Sequence, residues 1–169
     1  MSLNAKHFRN LIVRPTIKKL GLWTESAEEL LMLTWAQETL GQYLKQGWKT
    51  LDDARGVGLG PYSMEPTTHD DHWRTFLLGP RWHRLGEDIK QHFCIKKTLL
   101  IPPAEEMVGN LYYATAMTRV HYFRVKEPLP PADRIDLLAI YWDENYNRNP
   151  HAGFPSEAVA HYKEIVSGN

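Results

Sequence analysis

Apolar residues recurring with the period of an α-helix constrain this chain more than any other feature. Leu30, Leu33, Gln37, Leu40 and Leu44 share one stripe, and Leu31, Thr34, Trp35 and Glu38 form the stripe beside it. That is how a helix orders a face toward a core. The run opens at Ser26-Ala27-Glu28-Glu29, a capping-box pattern in which serine and glutamate satisfy each other's unpaired amides. The spacing predicts a helix over 26–44. Pro102-Pro103 suits the first turn of a second long helix, carried by Met107, Leu111, Ala114, Thr118, His121 and Tyr122 to about Val125. A third is predicted after Pro130-Pro131, carrying Ile135, Leu138, Ala139 and Trp142, and a terminal one over 156–166. Shorter helical pieces over 4–13, 67–78 and 82–93 are punctuated by Pro15, Pro61, Pro66, Pro80, Pro128 and Pro150, since proline breaks both helix and ladder. Strand signals are confined to 57–64, enough for one small hairpin. The expected architecture is mainly α, about seven helices in a single domain over 1–169, without repeat or linker.

Composition narrows the function classes. With 43% hydrophobic and 24% charged residues among 169, the chain has the mix of an ordinary globular protein and enough apolar surface to offset chain entropy. Lys+Arg and Asp+Glu are 20 each, for a net charge of +0. General nucleic-acid binding normally shows as a basic surplus, so no nucleic-acid partner is expected. Arg81-Trp82-His83-Arg84 and Lys96-Lys97 read as solvated surface. Cys94 is the only cysteine, which rules out an intramolecular disulfide and fits folding in a reducing compartment. Its apolar setting, His92-Phe93-Cys94-Ile95, reads as a buried inert thiol. The N-terminus lacks the apolar core of a signal peptide, and no run approaches the ~18 apolar residues of a membrane span. Synthesis in the cytoplasm without a signal peptide, and no membrane insertion, are the expectations.

The chemistry concentrates between Glu38 and His69. Glu38 shares its face with Leu31, Thr34 and Trp35. A carboxyl among apolar and aromatic neighbours loses hydration, which raises its pKa and keeps it protonated near neutrality. The general acid of a glycosidase needs that state. A glutamate that merely pairs at a helix end is the competing account. Downstream comes Gly56-Val57-Gly58-Leu59-Gly60-Pro61-Tyr62-Ser63-Met64-Glu65-Pro66. Glycines at alternate positions permit close backbone approach and positive φ, suiting either a groove floor or a tight surface hairpin. The GxxxxGK[ST] pattern of a phosphate-binding loop is absent, as is the G-x-S-x-G elbow of serine hydrolases. His69-Asp70-Asp71-His72 has the look of a metal cluster but lacks a third ligand and an HExxH arrangement. No metal and no cofactor are expected.

These segments together resemble the lysozyme-like superfamily, in particular goose-type lysozymes, soluble lytic transglycosylases and transglycosylase-like proteins of tailed phages. The series is Gln37-Glu38-Thr39-Leu40-Gly41, then Leu44-Lys45-Gln46-Gly47-Trp48, then Gly58-Leu59-Gly60-Pro61-Tyr62-Ser63-Met64-Glu65-Pro66. The phage-like likeness extends through Arg14-Pro15-Thr16, through Thr67-Thr68-His69-Asp70-Asp71-His72-Trp73, and through Tyr141-Trp142 to Tyr146-Asn147. The resemblance implies a lysozyme-like fold and cleavage of the β-1,4 bond between N-acetylmuramic acid and N-acetylglucosamine. Glu38 takes the general-acid position. Glu65 and either Asp52 or Asp53 fall where goose-type lysozymes carry carboxylates near the attacking water, as inverting hydrolysis requires. A lytic transglycosylase manages with Glu38 alone, the sugar's 6-hydroxyl attacking to leave an anhydro end. Gly60, Tyr62 and Ser63 are the implied substrate-binding residues, with Tyr122 or Tyr141 aimed at the acid from a late helix. Two departures stand out: Ser63 replaces the family's groove glutamine, and Gly41 comes one residue early. The implied partner is a peptidoglycan strand, with a virion or delivery system carrying the protein to the cell wall and periplasm. The alternative is a non-catalytic virion or wall-binding protein retaining the fold.

Overall fold

The leucine spacing is realised in α3 (Glu25–Thr39), and the molecule is built around it. Seven successive residues, Leu30 to Ala36, are buried, so α3 is wrapped on every side rather than on one stripe. The wrapping comes from both directions along the chain, as a computed structural model describes for residues 3–42, 58–147 and 153–168. Before α3 runs a continuous helical stretch: α1 (Ala5–His7), a π-helical turn Phe8–Val13, and α2 (Arg14–Lys19), with Pro15 in the first turn of α2. After it come α4 (Pro66–His72) with a π-helical extension Trp73–Leu77, α5 (His83–Phe93), α6 (Glu106–Gly109), α7 (Leu111–Phe123), α8 (Ile135–Asn145) and α9 (Pro155–Tyr162), extended by a π-helical turn Lys163–Ser167. Helices α7, α8 and α9 and the Phe8–Val13 turn all pack on α3. The chain is mainly α, as its periodicity predicts. Among the described residues the only extended pairing is an antiparallel bridge, Leu59 to Met64.

Several boundaries depart from the periodic pattern for local reasons. Helix α3 is capped by Thr24, whose hydroxyl accepts from the amide of Ala27, not by the Ser26–Glu29 pair. Glu29 is engaged elsewhere, by Arg9 and by the hydroxyl of Tyr162. The predicted helix from 102 to 125 is two helices. Asn110 interrupts it with φ −110 and ψ 89, and its side chain caps α7 by accepting from the amide of Tyr113. A side-chain oxygen that replaces a missing backbone partner makes such a break inexpensive.

The two ends of α3 carry carboxyls in opposite surroundings. At its start Glu28 is buried, yet accepts from Arg14 Nε at 2.8 Å, Arg14 Nη2 at 2.7 Å, Arg9 Nη1 at 3.0 Å and Trp23 Nε1 at 2.8 Å. Burial is the largest single influence and would raise its pKa. The hydrogen bonds from Arg14, Trp23 and Arg9 outweigh it, holding the carboxyl below its usual range. This cluster ties the N-terminal stretch to α3, and Arg9 continues it to Glu29 and, at 3.4 Å, Tyr162.

Candidate active site

At the far end of α3 the backbone stops abruptly. Leu40 adopts the left-handed conformation (φ 51) and so does Gly41 (φ 63). A Cβ on Gly41 would lie 2.8 Å from the Trp35 ring, so glycine is needed there both for its φ and for the indole that lies against it. Thr39 fixes the same point from the other side: its hydroxyl bonds the Trp35 carbonyl and the Pro61 carbonyl, both at 3.0 Å. Glu38 therefore sits in a last turn clamped to the 58–64 turn.

Its side chain meets α8 and α7. Trp142 Nε1 donates to Glu38 Oε1 at 3.0 Å. Tyr146, one helical turn after Trp142, donates to the Tyr62 carbonyl at 2.8 Å and stacks on Tyr122 at 5.4 Å between ring centroids. Burial is the dominant influence on Glu38, and pushes its pKa from 4.5 up to about 7; the Trp142 bond opposes this only in part. No charged side chain among the described residues enters the balance. The helix terminus acts in the same direction as burial, because α3 has no basic residue in its last turn and the C-terminal end of a helix disfavours an anion. The hydroxyls of Tyr122 and Tyr146 are themselves raised well above their usual value, by burial first and also by the charge of Glu38. Oε1 accepts from the indole, and no hydrogen bond engages Oε2 among the described residues.

The structure distributes the other sequence-derived candidates unevenly. Tyr62 is 1% exposed; its hydroxyl meets Thr115 at 3.1 Å and its ring lies against Phe8. It is a core residue, with its ring enclosed rather than presented to a groove. Tyr122 reaches toward α3, but its hydroxyl meets Thr34 at 2.7 Å. Tyr141 donates to the Glu127 carbonyl at 3.0 Å. Neither hydroxyl bonds Glu38. Gly60 (φ 72) serves the chain's own packing, since a Cβ there would lie 2.4 Å from the Met107 carbonyl. Gly58 does likewise against Ser63. The turn they build is buried, not the surface hairpin or open groove floor expected. Ser63 also adopts a left-handed conformation (φ 50), and its hydroxyl is buried without a hydrogen-bond partner. Glu65 is exposed at the residue preceding α4, where it accepts from Thr67 at 3.4 Å, a position favourable to the helix dipole. Asp52 and Asp53 lie outside the described residues.

Two contributors to the site were not singled out from the sequence. Trp142 lies in α8 and Tyr146 caps its end four residues later, and that spacing was the available signal. The His69–His72 segment resolves into two sets, His69 with Asp70 and Tyr113, and Asp71 with His72 and His121, the second bridged by Arg124, whose Nη1 also meets His72 Nδ1 at 2.5 Å. His69 is bonded to Asp70 at 2.8 Å and Tyr113 at 2.6 Å, Asp71 to Arg124 at 2.9 Å, and His72 to His121 at 3.0 Å. Among the described residues no group of three or more His, Cys, Asp or Glu could hold a metal ion. Cys94 is buried, and burial above all pushes its thiol up to about 12.

Comparison of the chain with known protein families, curated proteins and solved structures returned no match. The functional reading accordingly stands on the residues themselves.

Proposed function

We propose that this protein is a peptidoglycan glycosidase of the lysozyme-like class that cleaves the bond between N-acetylmuramic acid and N-acetylglucosamine. Glu38 is its general acid. The observation that carries the reading is a carboxyl whose pKa burial raises to about 7, with one oxygen fixed by an indole and no cation among the described residues acting on it. In the reaction Glu38 Oε2 gives its proton to the leaving glycosidic oxygen as the C–O bond breaks. Positive charge develops on the sugar ring and is then quenched by attack of water or of the sugar's own 6-hydroxyl. The carboxylate left behind is stabilised by Trp142 and takes a proton back. Attack by the 6-hydroxyl needs no second carboxylate. Asp52 or Asp53 would supply the base for hydrolysis. The substrate places the reaction at the cell wall, reached through a virion or delivery system.

Purified sacculi incubated with the protein and analysed by mass spectrometry test this. Anhydro ends mark transglycosylation and reducing ends hydrolysis. Glu38→Gln is expected to lower release by roughly 10²–10⁴-fold, the range of general acid catalysis. Equal release by the wild type and Glu38→Gln defeats the reading. The second reading, a wall-binding protein without turnover, draws on Ser63, whose short side chain is turned inward where the family carries its groove glutamine. Sacculus binding without release would establish it.

A further inference from the structure

Ten large apolar side chains are exposed among the described residues, most of them scattered. Scattered exposure is normal. The segment after α5 is different: Ile95 is 76% exposed, Leu99 44% and Leu100 68%, three aliphatic side chains within six residues. They are held out by a built loop rather than by slack chain. The Glu106 carboxylate accepts the amides of Ile95 at 2.8 Å and Lys96 at 2.9 Å, and Lys97 Nζ donates to the Gln91 carbonyl at 2.6 Å. Tyr112, 43% exposed, lies parallel to Phe93 beside the loop's root.

The residue types say what covers such a tip. Protein interfaces are depleted in lysine, and leucine is under-represented among their energetic anchors. Aliphatic side chains next to lysines, with a tyrosine alongside, match the boundary between headgroups and acyl chains. There the apolar groups enter, the ammonium groups meet lipid phosphates, and an amphipathic ring sits at the interface. Lys96 and Lys97 are both exposed, while Glu106 is turned onto backbone amides. No helix among the described residues is long and apolar enough to cross a membrane, so the contact is a surface one.

We infer that the 95–100 loop docks the protein on an anionic lipid bilayer, Ile95, Leu99 and Leu100 entering the interface and Lys96 and Lys97 meeting the phosphates. The test is flotation of the full chain with vesicles of phosphatidylcholine plus phosphatidylglycerol, against vesicles of phosphatidylcholine alone. Binding is expected only with the anionic lipid. Lys96→Gln/Lys97→Gln is expected to weaken it roughly 25-fold, near fivefold per lysine, and Leu99→Ser/Leu100→Ser to weaken it at least as much. Both pairs are exposed, and circular dichroism checks that the variants fold. Absence of binding, or binding that neither variant changes, overturns the inference. So does concentration-dependent self-association that Leu99→Ser/Leu100→Ser abolishes, since the tip would then be covered by a second copy. Glu38→Gln is expected to bind like the wild type, so this outcome is independent of the proposed reaction.

Discussion

Helix α3 carries a glutamate near each end, Glu28 buried and Glu38 half-buried, and each accepts a hydrogen bond from an indole: Glu28 from Trp23 and Glu38 from Trp142. Their acidities nonetheless diverge, Glu28 falling below its usual range and Glu38 rising to about 7. Burial is the largest influence on both. What separates them, among the described residues, is the pair of guanidinium groups from Arg9 and Arg14 at one end, with no cation acting at the other. An indole N–H stabilises a carboxylate too weakly to offset desolvation. One helix therefore offers a structural anion and a carboxyl that holds its proton toward neutrality, distinguished by their neighbours rather than by residue type.

The contrast can be attacked from the structural end first. Glu28→Gln leaves Arg9 and Arg14 around a neutral amide, and breaking a buried ion pair from one side costs about 3–5 kcal/mol. Urea unfolding at neutral pH measures it, and a loss below about 1 kcal/mol would mean that the cluster is solvated and the contrast illusory. Next in size is a pH effect of opposite sign at the other end. Between 4.5 and about 7 the native state holds a proton on Glu38 that the unfolded chain has released. Stability from this group is complete below 4.5 and lost as the pH rises to 7, by about 3 kcal/mol. Glu38→Gln should abolish that decline. Glu28, whose acidity is shifted the other way, contributes stability above its ordinary value that is lost as the pH falls. A wild-type profile with no decline toward pH 7 would show Glu38 to be ionised and solvated. Smallest is the matched indole pair. Trp23→Phe removes a donor from a charged acceptor and should cost about 1–2 kcal/mol. Trp142→Phe should move the basic limb of the pH–rate profile upward, because its bond favours the ionised form of Glu38. A downward move would assign the rise in Glu38 to something other than burial.

Helix existence was legible in the sequence from the spacing of Leu30, Leu33 and Gln37, although burial on every side of α3 blurs that stripe. Helix ends were less so. Thr24 rather than Ser26 caps α3, since Glu29 is drawn away by Arg9 and Tyr162, partners 20 and 133 residues distant. No local pattern contains that competition. The acid itself was legible: Glu38 beside Trp35 and Leu31 already implied desolvation. Its indole partner lies 104 residues away, beyond local spacing. The burial of Tyr62 was hidden for a related reason: an aromatic in a glycine-rich turn looks like a ligand platform, and nothing local shows that the turn is folded into the core. Gly58 and Gly60 were read correctly as sites of close approach, but Ser63 and Met107 make that approach, and Gly56 lies outside the described residues.

The abrupt end of α3 also acts as a register lock. Sliding the helix by one residue would bring a different side chain under Trp142 and require Thr39 to take up the left-handed conformation that Leu40 holds now. A β-branched residue is poorly suited to that region, and Thr39 would also surrender its bond to the Pro61 carbonyl. Thermal agitation can fray such a terminus, but it cannot readily trade one in-register arrangement for another. The carboxyl is indexed to a fixed position along its axis, much as a detent holds a shaft.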